Sequence, residues 1–155
     1  MSRERLKAKK IDIPGLERFI NEIARDLDPA TVILHGSLAK GGFVEKLSDV
    51  DLIVISSRLG DVDARERFIR LLEASQRHSL KADVTAYTPQ EFLEMIKELN
   101  PFALDAVFYG VPLYDKDGLW RIASKEFEKS KEKYDLRKTE SDGWIWRKGG
   151  TKRER

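Results

Sequence analysis

His35-Gly36-Ser37-Leu38-Ala39-Lys40-Gly41 and, after a short gap, Ser48-Asp49-Val50-Asp51-Leu52-Ile53-Val54-Ile55 decide how this chain is read. Ahead of the first stretch, Thr31-Val32-Ile33-Leu34 is a β-branched apolar run bounded by Asp28-Pro29 and Gly36-Ser37, which predicts a short buried strand. Gly36 lets the backbone turn sharply and lets a ligand approach where a Cβ would clash. Ser37 sits where a helix begins, so its hydroxyl and the free N–H groups after it suit phosphate oxygens. Lys40, one turn on, adds a cation to the same ligand. Taken alone, this is an ordinary strand-to-helix turn capped by Ser37.

The second stretch changes that balance. Asp49 and Asp51 are two apart on an extended chain, so their side chains leave one face, roughly 7 Å apart at Cα. Val50 points the opposite way, and Leu52-Ile53-Val54-Ile55 suits a central strand covered on both faces. Carboxylates gathered on one face of a buried strand repel and are poorly solvated unless a cation joins them. Mg²⁺ shared between carboxylates and substrate phosphates meets that need. A bare Asp-x-Asp is often no more than a solvated strand end. Preceded by the Gly-Ser turn, it points to metal-assisted phosphate chemistry.

Gly36-Ser37, eleven intervening residues and then Asp49-Val50-Asp51 with an apolar tail resemble the signature of the DNA polymerase beta-like nucleotidyltransferase superfamily. Gly36-Ser37-Leu38-Ala39-Lys40-Gly41 and Ser48-Asp49-Val50-Asp51-Leu52-Ile53-Val54 are most similar to its small single-domain branch, the minimal nucleotidyltransferases. The similar element order extends from about Leu16 to Asp115. The resemblance implies a third carboxylate on a neighbouring strand. In Leu80-Lys81-Ala82-Asp83-Val84-Thr85-Ala86-Tyr87, the later strand-like run with a central acid, that residue is Asp83. It further implies that Asp49, Asp51 and Asp83 are catalytic and hold two Mg²⁺ ions. Gly36, Ser37 and Lys40 would then bind the phosphates of ATP or another nucleoside triphosphate. The expected reaction transfers a nucleoside monophosphate, AMP in the case of ATP, to an acceptor hydroxyl and releases pyrophosphate. The acceptor implied for this branch lies on a partner protein, a small helical HEPN-type protein of a toxin–antitoxin pair.

The rest of the chain is consistent with one ordinary domain. It has 155 residues, enough to bury a real core. Leu16, Phe19, Ile20, Ile23, Ala24 and Leu27 recur at helical spacing after Pro14. A second amphipathic helix is expected from Val62 to His78, with Phe68, Ile69, Leu71 and Leu72 as its core stripe. Thr88-Pro89-Gln90-Glu91 is a helix start of capping-box type, leading into Phe92, Leu93, Met95, Ile96 and Leu99. Phe102 to Tyr109 predicts a short helix ended by Gly110, and Val111-Pro112-Leu113-Tyr114 an edge strand, where proline is tolerated. Leu119 to Tyr134 predicts a last helix carrying Trp120, Ile122, Ala123 and Phe127. The expected fold class is α/β (α+β): a small mixed sheet flanked by helices. Residues 1–136 are read as the transferase domain and 137–155 as a basic, Trp-containing C-terminal tail.

Composition excludes several alternatives. With no cysteine, disulfides, thiol catalysis and thiolate metal sites are out. Two histidines, His35 and His78, do not make a zinc site. No apolar stretch approaches membrane-spanning length and no signal core is present, so a cytoplasmic location is expected. A net charge of +2 does not announce nucleic acid. In the tail, Arg137, Lys138, Arg147, Lys148, Lys152, Arg153 and Arg155 surround Trp144-Ile145-Trp146. Basic side chains with aromatics can hold a nucleic acid, which allows an RNA 3′-end reaction. The favoured expectation is that the tryptophans pack back on the domain as a final strand. The other alternative is a nucleotide- or partner-binding module of the same fold with little turnover.

Overall fold

The computed structural model describes residues 13–41 and 49–147. Ser48 and the tail beyond Arg147, with Lys148, Lys152, Arg153 and Arg155, lie outside the described residues. Helix α1 (Leu16–Asp26) leads to strand β1 (Ala30–His35) and the short helix α2 (Gly36–Lys40). Strand β2 (Val50–Ser56) follows, then a 3-10 turn (Ser57–Leu59), helix α3 (Ala64–Arg77) and strand β3 (Ala82–Tyr87). Helices α4 (Pro89–Lys97) and α5 (Pro101–Tyr109), strand β4 (Val111–Asp115) and helix α6 (Leu119–Tyr134) complete the body. A two-stranded hairpin of β5 (Arg137–Lys138) and β6 (Trp144–Ile145) closes it.

The sheet order is β3-β2-β1-β4. β2 runs parallel to β3 through the α3 crossover and antiparallel to β1, which is itself antiparallel to β4. This is the mixed α/β sheet that the alternation of elements predicts. Side-chain alternation along each strand splits the core into two layers. Val32, Leu34, Leu52 and Val54 pack with Phe19, Ile20 and Ile23 of α1 and Leu71 and Ala74 of α3. Ile33, Ile53 and Ile55 pack with Phe92, Ile96, Ala103, Leu104, Ala123 and Phe127 of α4, α5 and α6. Residues of the same parity as Ile33 and Ile53, which include His35 and Asp51, therefore belong to the α5 face.

Local chemistry sets the boundaries. The capping box forms as expected, with Glu91 N–H donating to Thr88 Oγ1 at 3.1 Å and Thr88 N–H to Glu91 Oε1 at 2.9 Å. Asn100 caps α5, its Oδ1 accepting from the Phe102 and Ala103 amides. Pro112 sits in an edge strand, β4, where its missing N–H leaves no central ladder bond unmade.

Three apolar assignments are corrected. In α3, Phe68 is 56% exposed and Leu72 39% exposed, whereas Leu71, Ala74 and Ser75 are buried. The inward face is rotated because Arg67 turns in. Its guanidinium donates to the Leu59, Val62 and Ala86 carbonyls and pairs with Glu91 at 2.7 Å. In α6, Ile122 is exposed while Ala123 and Phe127 carry the packing. In the hairpin, Trp144 packs against Phe108 and Phe127, but Trp146 stays exposed. Among the described residues no helix is long and apolar enough to cross a membrane.

Candidate active site

Register brings the acids together. On the antiparallel side His35 is the partner of Asp51, and on the parallel side Asp51 is the partner of Asp83. Adjacent strands lie about 4.8 Å apart, so the two aspartates start as close neighbours. Asp51 is half-buried, on the middle of the three strands, and Asp83 is exposed on the edge strand β3. Asp49 stands one residue before β2 and is also exposed.

Gly36 roofs Asp51. It turns the chain from β1 into α2 with φ of 75°, a left-handed conformation that a side chain strains. A Cβ placed there would meet Asp51 Oδ2 at 2.2 Å. The glycine is required twice over, for its backbone and for its missing side chain.

Together His35, Gly36, Lys40, Asp51, Asp83, Phe102, Asp105 and Tyr109 line a cleft of about 320 Å³. Of the residues expected from sequence, Gly36, Lys40, Asp51 and Asp83 meet in it. Ser37 and Asp49 are exposed and outside its lining. Burial, then the charges of Asp83 and Asp49, push the Asp51 carboxyl above its ordinary range. Asp49 is thus electrically coupled to the site from outside its lining.

His35 enters from the end of β1. Its ring sits edge-on to Phe102 with centroids 5.1 Å apart, and its Nε2 is buried with no hydrogen-bond partner among the described residues. Burial lowers its pKa against the opposing pull of Asp83, so the imidazole is neutral at physiological pH. The ring thus lines the cleft while its Nε2 is withdrawn from solvent.

The far wall was not read from the sequence. Phe102, Asp105 and Tyr109 come from α5 at helical spacing, one face of an otherwise apolar segment. A lone acid in the middle of Pro101-Phe102-Ala103-Leu104-Asp105-Ala106-Val107-Phe108-Tyr109 was the available signal. Lys40 is engaged at this wall, donating to Asp142 at 2.7 Å and lying 4.6 Å from the Tyr109 ring.

The donor set fits a hard divalent cation. Asp51 and Asp83 offer carboxylate oxygens, and burial, then the charges of Asp83 and Asp49, disfavour the ionised Asp51 in a way that a bound cation would offset. Among the described residues no three or more His, Asp or Glu side chains are gathered as metal ligands. The protein thus supplies a partial shell, as Mg²⁺ sites completed by substrate phosphates and water commonly do.

Residues 16–114 match the family model described as a nucleotidyltransferase domain. Among solved structures, a toxin-antitoxin with AMP-PNP is similar to this chain at 17% identity and a TM-score of 0.51, over 74% of this chain and 85% of that one. It shares the fold. A nucleotidyltransferase structure is 22% identical over 64% of this chain and 99% of its own, at a TM-score of 0.44. A mutant of the toxin-antitoxin MntA-HpeT is 14% identical over 73% and 84% of the two chains, at a TM-score of 0.48. No curated protein matches.

Proposed function

Because the chain belongs to the nucleotidyltransferase domain family, we propose that its cleft transfers a nucleoside monophosphate, AMP from ATP, to an acceptor hydroxyl with release of pyrophosphate. The observation that carries this reading is the side-by-side placement of Asp51 and Asp83, with Asp51 beneath Gly36, in a cleft that also holds Lys40.

In this reading Asp49, Asp51 and Asp83 hold two Mg²⁺ ions. Bound there, the metal supplies charge neutralisation and polarisation of the phosphoryl group. Gly36 leaves the Asp51 carboxylate in place under the turn, while Ser37 and Lys40 take phosphate oxygens at the start and end of α2. His35, neutral and packed edge-on to Phe102, forms part of the cleft lining beside Asp51. Asp83, in this reading, shares a metal ion and helps to take up the proton of the attacking hydroxyl. The work is mostly positioning and charge stabilisation. Residues up to 136 form the transferase domain in this reading, and the segment from 137 is an appendage to it.

The acceptor is a partner protein. The fold shared with a toxin-antitoxin structure with AMP-PNP supports a nucleotide-using member of such a pair, and in this reading the labelled partner is a small helical, HEPN-type protein. The test is incubation of the protein with Mg²⁺, ATP labelled at the α-phosphate and extract of its source cells. Wild type should label one protein band, and Asp51→Ala should not. Equal labelling by the two would sink the catalytic reading, and label in RNA would move the acceptor to nucleic acid.

A further inference from the structure

We propose that Lys40, Lys138 and the Tyr109 hydroxyl form a polyphosphate-binding site on the cleft wall, held in the free protein by the Asp142 side chain. The proposal rests on the nucleotide reading above and adds to it a residue set contributed by the C-terminal hairpin.

Three donors from three separate elements converge on one carboxylate. Asp142 Oδ2 accepts from Lys40 Nζ at 2.7 Å, while Oδ1 accepts from Lys138 Nζ at 2.8 Å and from Tyr109 Oη. Lys138 is only 17% exposed and also donates to Asp105 Oδ1 and the Asp142 carbonyl, each at 2.9 Å. Its ammonium lies 5.0 Å from the Tyr109 ring centre and 4.6 Å from that of Trp144. A surface ion pair is usually two mobile, exposed chains worth little. Here two ammonium groups and a phenol are fixed around one pair of oxygens, and Lys40 and Tyr109 also line the cleft.

That arrangement suits a phosphate. Two phosphate oxygens can take the two carboxylate positions, and a triphosphate brings more charge to the same cations. Lys138, Lys40 and Tyr109, in that order, hold the Asp142 carboxyl far below its usual range, so protonation does not free the site near neutral pH. A competing anion does.

The hairpin is built for such an exchange. Its base is anchored, with the Trp144 indole donating to Asp105 at 2.8 Å and its ring packed edge-on to Phe108 and Phe127. Its tip is a tight turn closed by Thr139 N–H to the Gly143 carbonyl at 3.0 Å, with Asp142 at φ of 69°. The tip can withdraw one side chain while the base keeps Lys138 in place.

The test is calorimetric binding of Mg-ATP, and of tripolyphosphate alone, to the full chain. Asp142→Asn keeps the size and tolerates the left-handed backbone. It should tighten both ligands about five- to tenfold, by removing the occupied state from the free protein. Lys138→Gln, although it also loosens Asp142, should weaken both by about fivefold or more because a ligand is lost. A purely structural role for the hairpin would move both variants in the same direction. If wild type binds and Asp142→Asn binds equally or more weakly, or if Lys138→Gln binds equally or more tightly, this inference is overturned and the nucleotide reading stands. If neither wild type nor Asp142→Asn binds either ligand, both fall.

Discussion

Gly36 and Asp51 are complementary, in that the space a β-carbon would need on the one is filled by the carboxylate of the other, at 2.2 Å from Oδ2. Gly36→Ala should therefore displace Asp51 and also force alanine into a left-handed backbone. The expected result is a loss of about 1–3 kcal/mol of stability and a larger proportional loss of transfer activity, about 100-fold. Urea unfolding and a labelling assay at matched folded fraction separate the two. Near-normal activity would mean that Asp51 does not need its observed position.

Asp51 itself opposes the fold to serve the site. Burial first, then Asp83 and Asp49, push its carboxyl up, so the protonated form favours the folded state. That contribution to stability is present in full below the ordinary carboxylate range and is lost as pH rises through the elevated value. Asp51→Asn copies the protonated form. In metal-free buffer near pH 7.5 it should melt about 2–4 °C above wild type, and the gap should close toward about pH 4. Transfer should fall by at least about 100-fold. Scanning calorimetry with a chelator checks the first half, and a variant that melts lower than wild type would refute the electrostatic account.

How much of this was legible beforehand depends on the range of the interaction. The Gly36-Ser37 turn, the double-faced β2 and the capping box at Thr88 are written in contiguous residues, and the structure forms each of them, although the helix after the turn starts at Gly36 with His35 as its N-cap, so Ser37 does not cap it. Asp83 could be nominated by the resemblance, but its pairing with Asp51 is a matter of strand register. The misread stripe of α3 has a similar origin. Periodicity marks a helical face but not its centre, and Phe68 lost the inward position to Arg67, whose partners on β3, α4 and the 3-10 turn are all tertiary. The wall with Asp105, Tyr109, Lys138 and Asp142 was out of reach, since Lys40 meets Asp142 across 102 residues.

Away from the cleft, Glu22 of α1 is buried and holds the C-terminus of α3. It accepts from Arg77 through both carboxylate oxygens and lies 2.8 Å from His78 Nε2. The Arg77 hydrogen bond, opposed by burial and reinforced by His78, lowers the Glu22 pKa. A depressed carboxyl contributes stability above its ordinary value and loses it as pH falls through the folded value. Glu22→Gln should cost about 1.5–3 kcal/mol near neutral pH and flatten the loss of stability below about pH 4.5. Labelling activity well below the melting point should be unchanged, because Glu22 is not among the residues lining the cleft. Chemical denaturation across a pH series would expose an error in either half.

The last prediction concerns Trp144, where packing and nucleic-acid stacking make opposite demands. Its ring is edge-on to Phe108 at 5.4 Å and to Phe127 at 5.8 Å, and its N–H is used by Asp105. A tryptophan engaged in this way has little free face left to stack on a base. Trp144→Ala should therefore destabilise the protein by about 2–4 kcal/mol, whereas a nucleic-acid contact would leave stability alone and reduce RNA binding. Trp144→Phe separates the ring from its donor. It should lose about 1 kcal/mol while Asp105 keeps its bond from Lys138, so the KM for the nucleotide should change little. In Trp144→Ala the KM should rise, because the anchor that holds Lys138 against the cleft wall has gone. A variant with unaltered stability and weakened RNA binding would return the tail to the role that its basic composition first suggested.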